Sequence, residues 1–270
     1  PPRSTPLYSS AASDVYKRQV HMAYARSNGV SVLRFANSRN LGLAALLLFA
    51  LLPAFANNYQ LFVGNLTLIY VVLTVGLNLL IGYTGLLAFM NGILFGVGAY
   101  ATAIMRLDLG WSYGLAIPAA ALVTALIGVL VAFPALRLAG LYLALATVAF
   151  AQFILWVLLH WDHVTRGPSG ILVPQVDYAP LTASFEHGHY YVTLTVVVAV
   201  VWLTVNLLRS RYGRAFVALR ESEVAAESLG IDLTRYKTLV YAVSALYAGL
   251  AGGLFAPLLG IVVPESFDLT

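Results

Sequence analysis

"LFVGNLTLIYVVLTVGLNLLIG", residues 61–82, carries no charged side chain. About 20 apolar residues in a row are enough to cross the hydrocarbon core of a bilayer as a helix. Hydrocarbon offers the backbone no hydrogen-bond partners, so a chain within it must close its own N–H and C=O groups in helices or barrels. Working outward, the charge-free block extends over residues 41–105, closed by Arg39 and Arg106. "NNYQ" and "YTG" interrupt it, which divides it into candidate spans at 41–56, 61–82 and 86–105. Further apolar runs occupy 111–133, 139–160, 190–208 and 238–260.

The whole chain agrees with this reading. Its 270 residues are 60% hydrophobic and 10% charged, against about 45–50% and about 25% in soluble domains. The expected fold is all-α, a polytopic transmembrane helical bundle of about seven visible spans. Residues 1–38 read as a separate, partly disordered N-terminal segment on the cytoplasmic side, and 39–270 as the membrane domain. Residues 1–20 lack the apolar core of a signal peptide and are assigned no role. The chain is expected to be truncated at its C-terminus, because "PESFDLT" follows directly on a span. With no cysteine, disulfides, thiolate chemistry and cysteine metal sites are excluded.

Orientation follows from charge. Arg26, Arg34 and Arg39 put the start of the first span inside, since positive loops face the cytoplasm. Seven crossings then put 161–189 outside and 209–237 inside. The outer loop holds Arg166 against Asp162, Asp177 and Glu186; the inner one holds six basic residues against Glu221, Glu223, Glu227 and Asp232. Arg137 also falls inside. Trp111, Trp156, Trp161 and Tyr190, near span ends, read as interfacial anchors.

"GRAFVALRESEVAAESLGI", 213–231, is too charged for the bilayer and reads as one or two short helices. Phe216, Leu219 and Val224 supply an apolar stripe. Ser222 can cap a second helix whose first turn carries Glu223. Gly230 fits a left-handed stop, and Asp232 can cap the next helix. Two readings stay open: a solvated loop that sets topology, or a docking knob in which the small pair Ala225 and Ala226 lets another surface approach.

"EVAAESLGI" resembles the cytoplasmic loop of ABC importer membrane subunits that carries a Glu-Ala-Ala-three-Gly pattern, matched here by Glu223, Ala225, Ala226 and Gly230. Val224 stands where the strict pattern has Glu. Over 76–267, "GLNLLIGYTGLLAFMNGILFGVGAY", "LRLAGLYLALATVAFAQFI", "TRGPSGI" and "PESF" are similar in order and spacing to the branched-chain amino acid ABC permease family, nearer its LivM type than its LivH type. The resemblance implies a subunit of the bacterial inner membrane with its N-terminus cytoplasmic. It implies a LivH-type second permease, two cytoplasmic ATPases and a periplasmic binding protein as partners, alongside membrane lipid, with no nucleic acid involved. It implies no cofactor in this chain, ATP being used by the partner subunits. Arg220, Glu221, Glu223, Ala225, Ala226, Glu227 and Gly230 would then form the ATPase-coupling loop.

Asn78, Tyr83, Thr84 and Asn91 are the polar residues of the glycine-rich 76–98 stretch and are the candidate translocation path. A buried amide in a span requires a partner, either across helices or on a solute. Gly92 with Gly96, and Gly249 with Gly253, have helix-packing spacing, although glycines can also line a pore. Gln152 and Thr147 each suggest one interhelical hydrogen bond. His160, His163, His187 and His189 lie at or beyond the membrane edge with spacing too loose for a metal site. No phosphate-cradling Gly-x-x-x-x-Gly-Lys-Ser/Thr loop occurs, so the chain is not expected to be the motor or an enzyme. Urea or amides are alternative cargoes, and sodium-coupled secondary transport is an alternative mechanism. Proton coupling is disfavoured, because the spans hold no acid or base except His160 at a boundary.

Overall fold

The computed structural model describes residues 56–86, 88–135, 140–176 and 184–267, together with residues 49 and 52–54. The expected span at 41–56, the segment 1–38 and Arg137 fall essentially outside the described residues. Residues 1–55 and 56–270 are two units; in the first, residue 49 and a short 3-10 turn, Leu52–Ala54, are described.

The second unit is helical, as the apolar runs predict. Helix α1 (Asn58–Asn78) continues into a π turn, Leu79–Tyr83. There follow α2 (Asn91–Leu107), α3 (Tyr113–Ala135) and α4 (Leu141–His160). After them come α5 (Phe185–Arg209), the short α6 (Arg211–Glu221) and α7 (Glu223–Ser228), and α8 (Leu233–Leu259). Among the described residues, five stretches are long and apolar enough to cross a membrane: Asn58–Tyr83, Tyr113–Phe133, Leu141–His160, Phe185–Arg209 and Leu233–Leu259.

The expected span at 86–105 differs in its first turn, for helix α2 begins only at Asn91. Gly85 takes the left-handed conformation (φ 70°), which breaks the helical path. The N–H of Leu86 donates back to the Leu80 carbonyl at 3.0 Å, and that of Phe89 donates to Thr147 Oγ1 of α4 at 3.2 Å. Irregular backbone at membrane depth requires such partners. The 17 residues of α2 rise only about 25 Å at 1.5 Å each.

Helix α8 is the centre, wrapped by α1, α2 and α3, while α5 packs on α1 and α4 lies at the periphery. Glycine permits the closest approaches. A Cβ on Gly98 would lie 2.6 Å from Gly249 Cα, and one on Gly252 would collide with the Phe95 carbonyl. On the outer side of α3, Leu115, Leu122, Leu126 and Leu130 are each more than half exposed, which is the pattern of a face solvated by lipid tails.

The loops sort to two opposite ends. At one end β1 (Ile171–Leu172) pairs antiparallel with β2 (Ile261–Val262), Ile171 opposite Val262. Tyr113 Oη donates to the Pro174 carbonyl there, and Asn65 Nδ2 to that of Glu186 at 3.4 Å. At the other end the 209–237 segment meets the π turn. This is the alternation expected from the crossings at 61–82 onward.

Three expectations are corrected. Tyr190 is fully buried against the space left by Gly64, so it is no interfacial anchor. His189 is likewise buried, its Nε2–H donating to the Leu254 carbonyl at 3.0 Å, because α5 begins at Phe185 and draws it into the bundle. Gln152 faces outward from α4 and has no hydrogen-bond partner among the described residues, whereas Thr147 accepts from the Phe89 N–H, which lies outside any helix.

Candidate functional site

The 209–237 segment is built by local chemistry. Ser210 Oγ accepts from the Tyr212 N–H at 3.1 Å and starts α6. Phe216 and Leu219 turn inward and are buried, with Phe216 edge-on to Tyr236 at 6.4 Å. Ser222 ends α6 and starts α7, its Oγ accepting from the Ala225 N–H at 3.2 Å. Gly230, at φ 81°, closes α7. There the Ile231 N–H donates to the Ala226 carbonyl at 3.1 Å and the Gly230 N–H to that of Glu227 at 2.9 Å, the double bond pattern of a Schellman stop. Asp232 Oδ1 accepts from the Arg235 N–H at 3.1 Å and starts α8. The Ser222, Gly230 and Asp232 caps sit where the sequence reading puts them, and Ser210 adds one it did not name.

The faces are partly different from that reading. Val224 was expected in the apolar stripe with Phe216 and Leu219, but it is 75% exposed, as is Leu229 at 80%. Val224 stands five positions after Leu219, about 140° round a helix, and the turn at Ser222 adds to the change of face. Ala226 is buried and Ala225 exposed, so only one of the small pair is open to an approaching surface. Glu221 and Glu227 are exposed and make no ion pair among the described residues. Glu223 instead turns inward: its carboxylate lies 2.7 Å from Nζ of Lys237, whose side chain is 7% exposed against 42% for Glu223. Arg220 also reaches inward, its Nη1–H donating to the Gly82 carbonyl at 2.6 Å.

A groove of about 700 Å³ runs along one face of α1 and its π turn; the described residues that line it include Thr67, Tyr70, Val71, Thr74, Asn78 and Ile81. Of the four candidate path residues, only Asn78 lines it. Tyr83 is half-buried, and Thr84 is buried with its hydroxyl donating to the Leu80 carbonyl at 2.6 Å. Asn91 lies elsewhere: its Nδ2 donates to Ser244 Oγ of α8 at 2.9 Å, and the Ser244 hydroxyl faces Asn91 Oδ1 at 3.3 Å. Its amide is therefore satisfied between two helices. Thr67 and Thr74, not singled out in the sequence, donate to their own i−4 carbonyls at 2.8 and 2.7 Å. Their lone pairs stay free to accept. The signal for them is the three- and four-residue spacing of 67, 71, 74, 78 and 81, which marks one helix face.

Gly249 and Gly253 pack as their spacing suggests, against Ala121 and Thr124 and against Thr102 and Ile117 respectively. Gly96 seats the Phe267 ring, and Gly92 is half-buried in the first turn of α2. Among the described residues no group of His, Cys, Asp and Glu could hold a metal ion.

Residues 59–270 match the family described as "Branched-chain amino acid transport system / permease component". The chain is 35% identical over 254 residues to the high-affinity branched-chain amino acid transport system permease protein LivM of Salmonella typhimurium. It is 36% identical to LivM of Escherichia coli over the same length, and either match covers 85% of this chain. Identity to the Escherichia coli permease protein LivH is 25% over 222 residues, 72% of this chain and 68% of that protein. The chain spans about 60% of the length of the LivM relatives. No solved structure matches.

Proposed function

The chain belongs to the family of permease components of branched-chain amino acid transport systems, and from that premise we propose that it is a membrane subunit of an ABC importer. Its cargo is a branched-chain amino acid, ATP being hydrolysed on separate ATPase subunits. The observation that carries this reading is the 209–237 segment: two capped short helices at one end of the bundle, presenting Val224, Ala225 and Leu229 outward. Exposed apolar groups flanked along the chain by exposed Glu221 and Glu227 are the composition of an interface rather than of a solvated turn. The excess of basic charge supports a cytoplasmic setting for this end, and in this reading the ATPases bind there. The opposite end, braced by the β1–β2 pair, faces a periplasmic binding protein.

In this reading the groove on α1 forms half of the path, and a second permease of LivH type closes it. Val71, Leu77 and Ile81 offer an aliphatic surface, while the threonine hydroxyls and the Asn78 amide offer acceptors for an ammonium group. That mixture suits a branched aliphatic amino acid better than urea or a small amide. Docking moves the segment, and the helices fixed to it carry the motion into the path. The test is reconstitution with the partner permease, both ATPases and the binding protein in proteoliposomes. Leucine uptake that needs internal ATP supports the proposal. Uptake driven by an imposed sodium gradient, with the ATPases left out, would overturn it.

A further inference from the structure

We infer that Arg220 is a positioning residue that fastens the 209–237 segment to the floor of the α1 groove, rather than a contact for the ATPase. The inference rests on the importer reading and adds to it the element through which motion reaches the solute path. Its Nη1–H donates to the Gly82 carbonyl at 2.6 Å, joining residues 138 positions apart. Gly82 lies in the π turn just before the chain breaks at Gly85, so its carbonyl belongs to the last turn of a helix, whose acceptors have no partner further along. Arg220 supplies one. Its aliphatic stem lies over Gly85: a Cβ there would lie 3.4 Å from Arg220 Cγ.

The groove is directly above. Asn78 Oδ1 occupies the space over Gly82 where any side chain on that residue would collide with it, and Asn78, Ile81 and Gly82 all line the groove. Groove, π turn and guanidinium therefore form one contiguous line of contact. A π turn holds more residues than an α turn, and such turns concentrate at functional sites. Relaxation to α geometry would turn the residues beyond it by about 100° around the helix axis, since 3.6 residues complete one α turn. Arg220 holds the wider turn in place and transmits any shift of α6 to Asn78 and Ile81.

Because the chain contains no cysteine, Ile81→Cys provides a single thiol in the π turn. The experiment measures its rate of modification by a charged, membrane-impermeant maleimide in the fully assembled importer in proteoliposomes, nucleotide-free and after trapping with ATP and vanadate. With Arg220 present the two states should differ by about tenfold, within the usual range of coupling between sites. With Arg220→Ala the difference should vanish while the ATPases remain bound, and Arg220→Lys, which can still donate to the carbonyl, should restore part of it. A difference that persists in Arg220→Ala overturns the inference, as does a thiol whose rate is the same in both states with Arg220 intact. ATPases that do not bind the permease at all would instead overturn the importer reading itself.

Discussion

Replacing Glu223 by Gln removes one charge and nearly no volume, and its effect on the isolated permease is decided by Lys237. The ammonium group is almost enclosed, at 7% exposure, and Glu223 is its one ionic partner among the described residues. Breaking a fully buried pair costs about 3–5 kcal/mol, because the remaining charge is left without compensation, whereas exposed pairs contribute about 0–1 kcal/mol. With one partner enclosed and the other 42% exposed, the loss should be about 2 kcal/mol. At about 1.4 kcal/mol per tenfold, that is about a 30-fold rise in local opening of α7. Hydrogen exchange reads it directly at the amides of Ala226, Gly230 and Ile231, which are bonded in the closed segment. Adding Lys237→Met to Glu223→Gln should recover most of the protection, since no charge is then stranded. Unchanged exchange in Glu223→Gln would refute the inward role and return Glu223 to the set of residues that face a partner.

The two asparagines should separate cleanly. Asn91→Leu should lower thermal stability by about 1–3 kcal/mol through the stranded Ser244 hydroxyl, and Asn91→Leu with Ser244→Ala should regain part of it; differential scanning of the purified protein checks both. Asn78→Leu should leave the unfolding temperature unchanged but raise KM for uptake several-fold, because its amide faces the groove rather than another helix. Gly252→Val should cost at least about 1–3 kcal/mol from overpacking, since its side chain would meet the Phe95 carbonyl, and membrane yield should fall accordingly.

What the sequence makes legible is what depends on neighbours along the chain. Ser222, Gly230 and Asp232 act through bonds spanning three to five positions, so the two short helices and their stops can be placed from the letters alone. Long apolar runs place the spans for a similar reason, since hydropathy is a local sum. The tertiary contacts are hidden. Nothing near Glu223 announces Lys237, and nothing near Gly82 announces Arg220. Val224 stands five positions after Leu219, about 140° round a helix, so it leaves the stripe of Phe216 and Leu219 even before the bend at Ser222 turns it out. Asn78 and Asn91 look alike in an apolar stretch, and the break at Gly85 sends one to the groove and the other to α8. His189 and Tyr190 look like edge residues until α5 is seen to begin at Phe185.

The account stands on the 209–237 segment being the seat of a separate ATPase. Leu229→Cys, a lone thiol on its most exposed apolar side chain, tests this with a short bifunctional crosslinker in membranes holding the assembled importer. The account predicts an adduct of permease and ATPase subunit, suppressed when Ala225→Trp blocks the docking face. A thiol that yields no such adduct, or that reacts with an impermeant reagent from the periplasmic side, would contradict it.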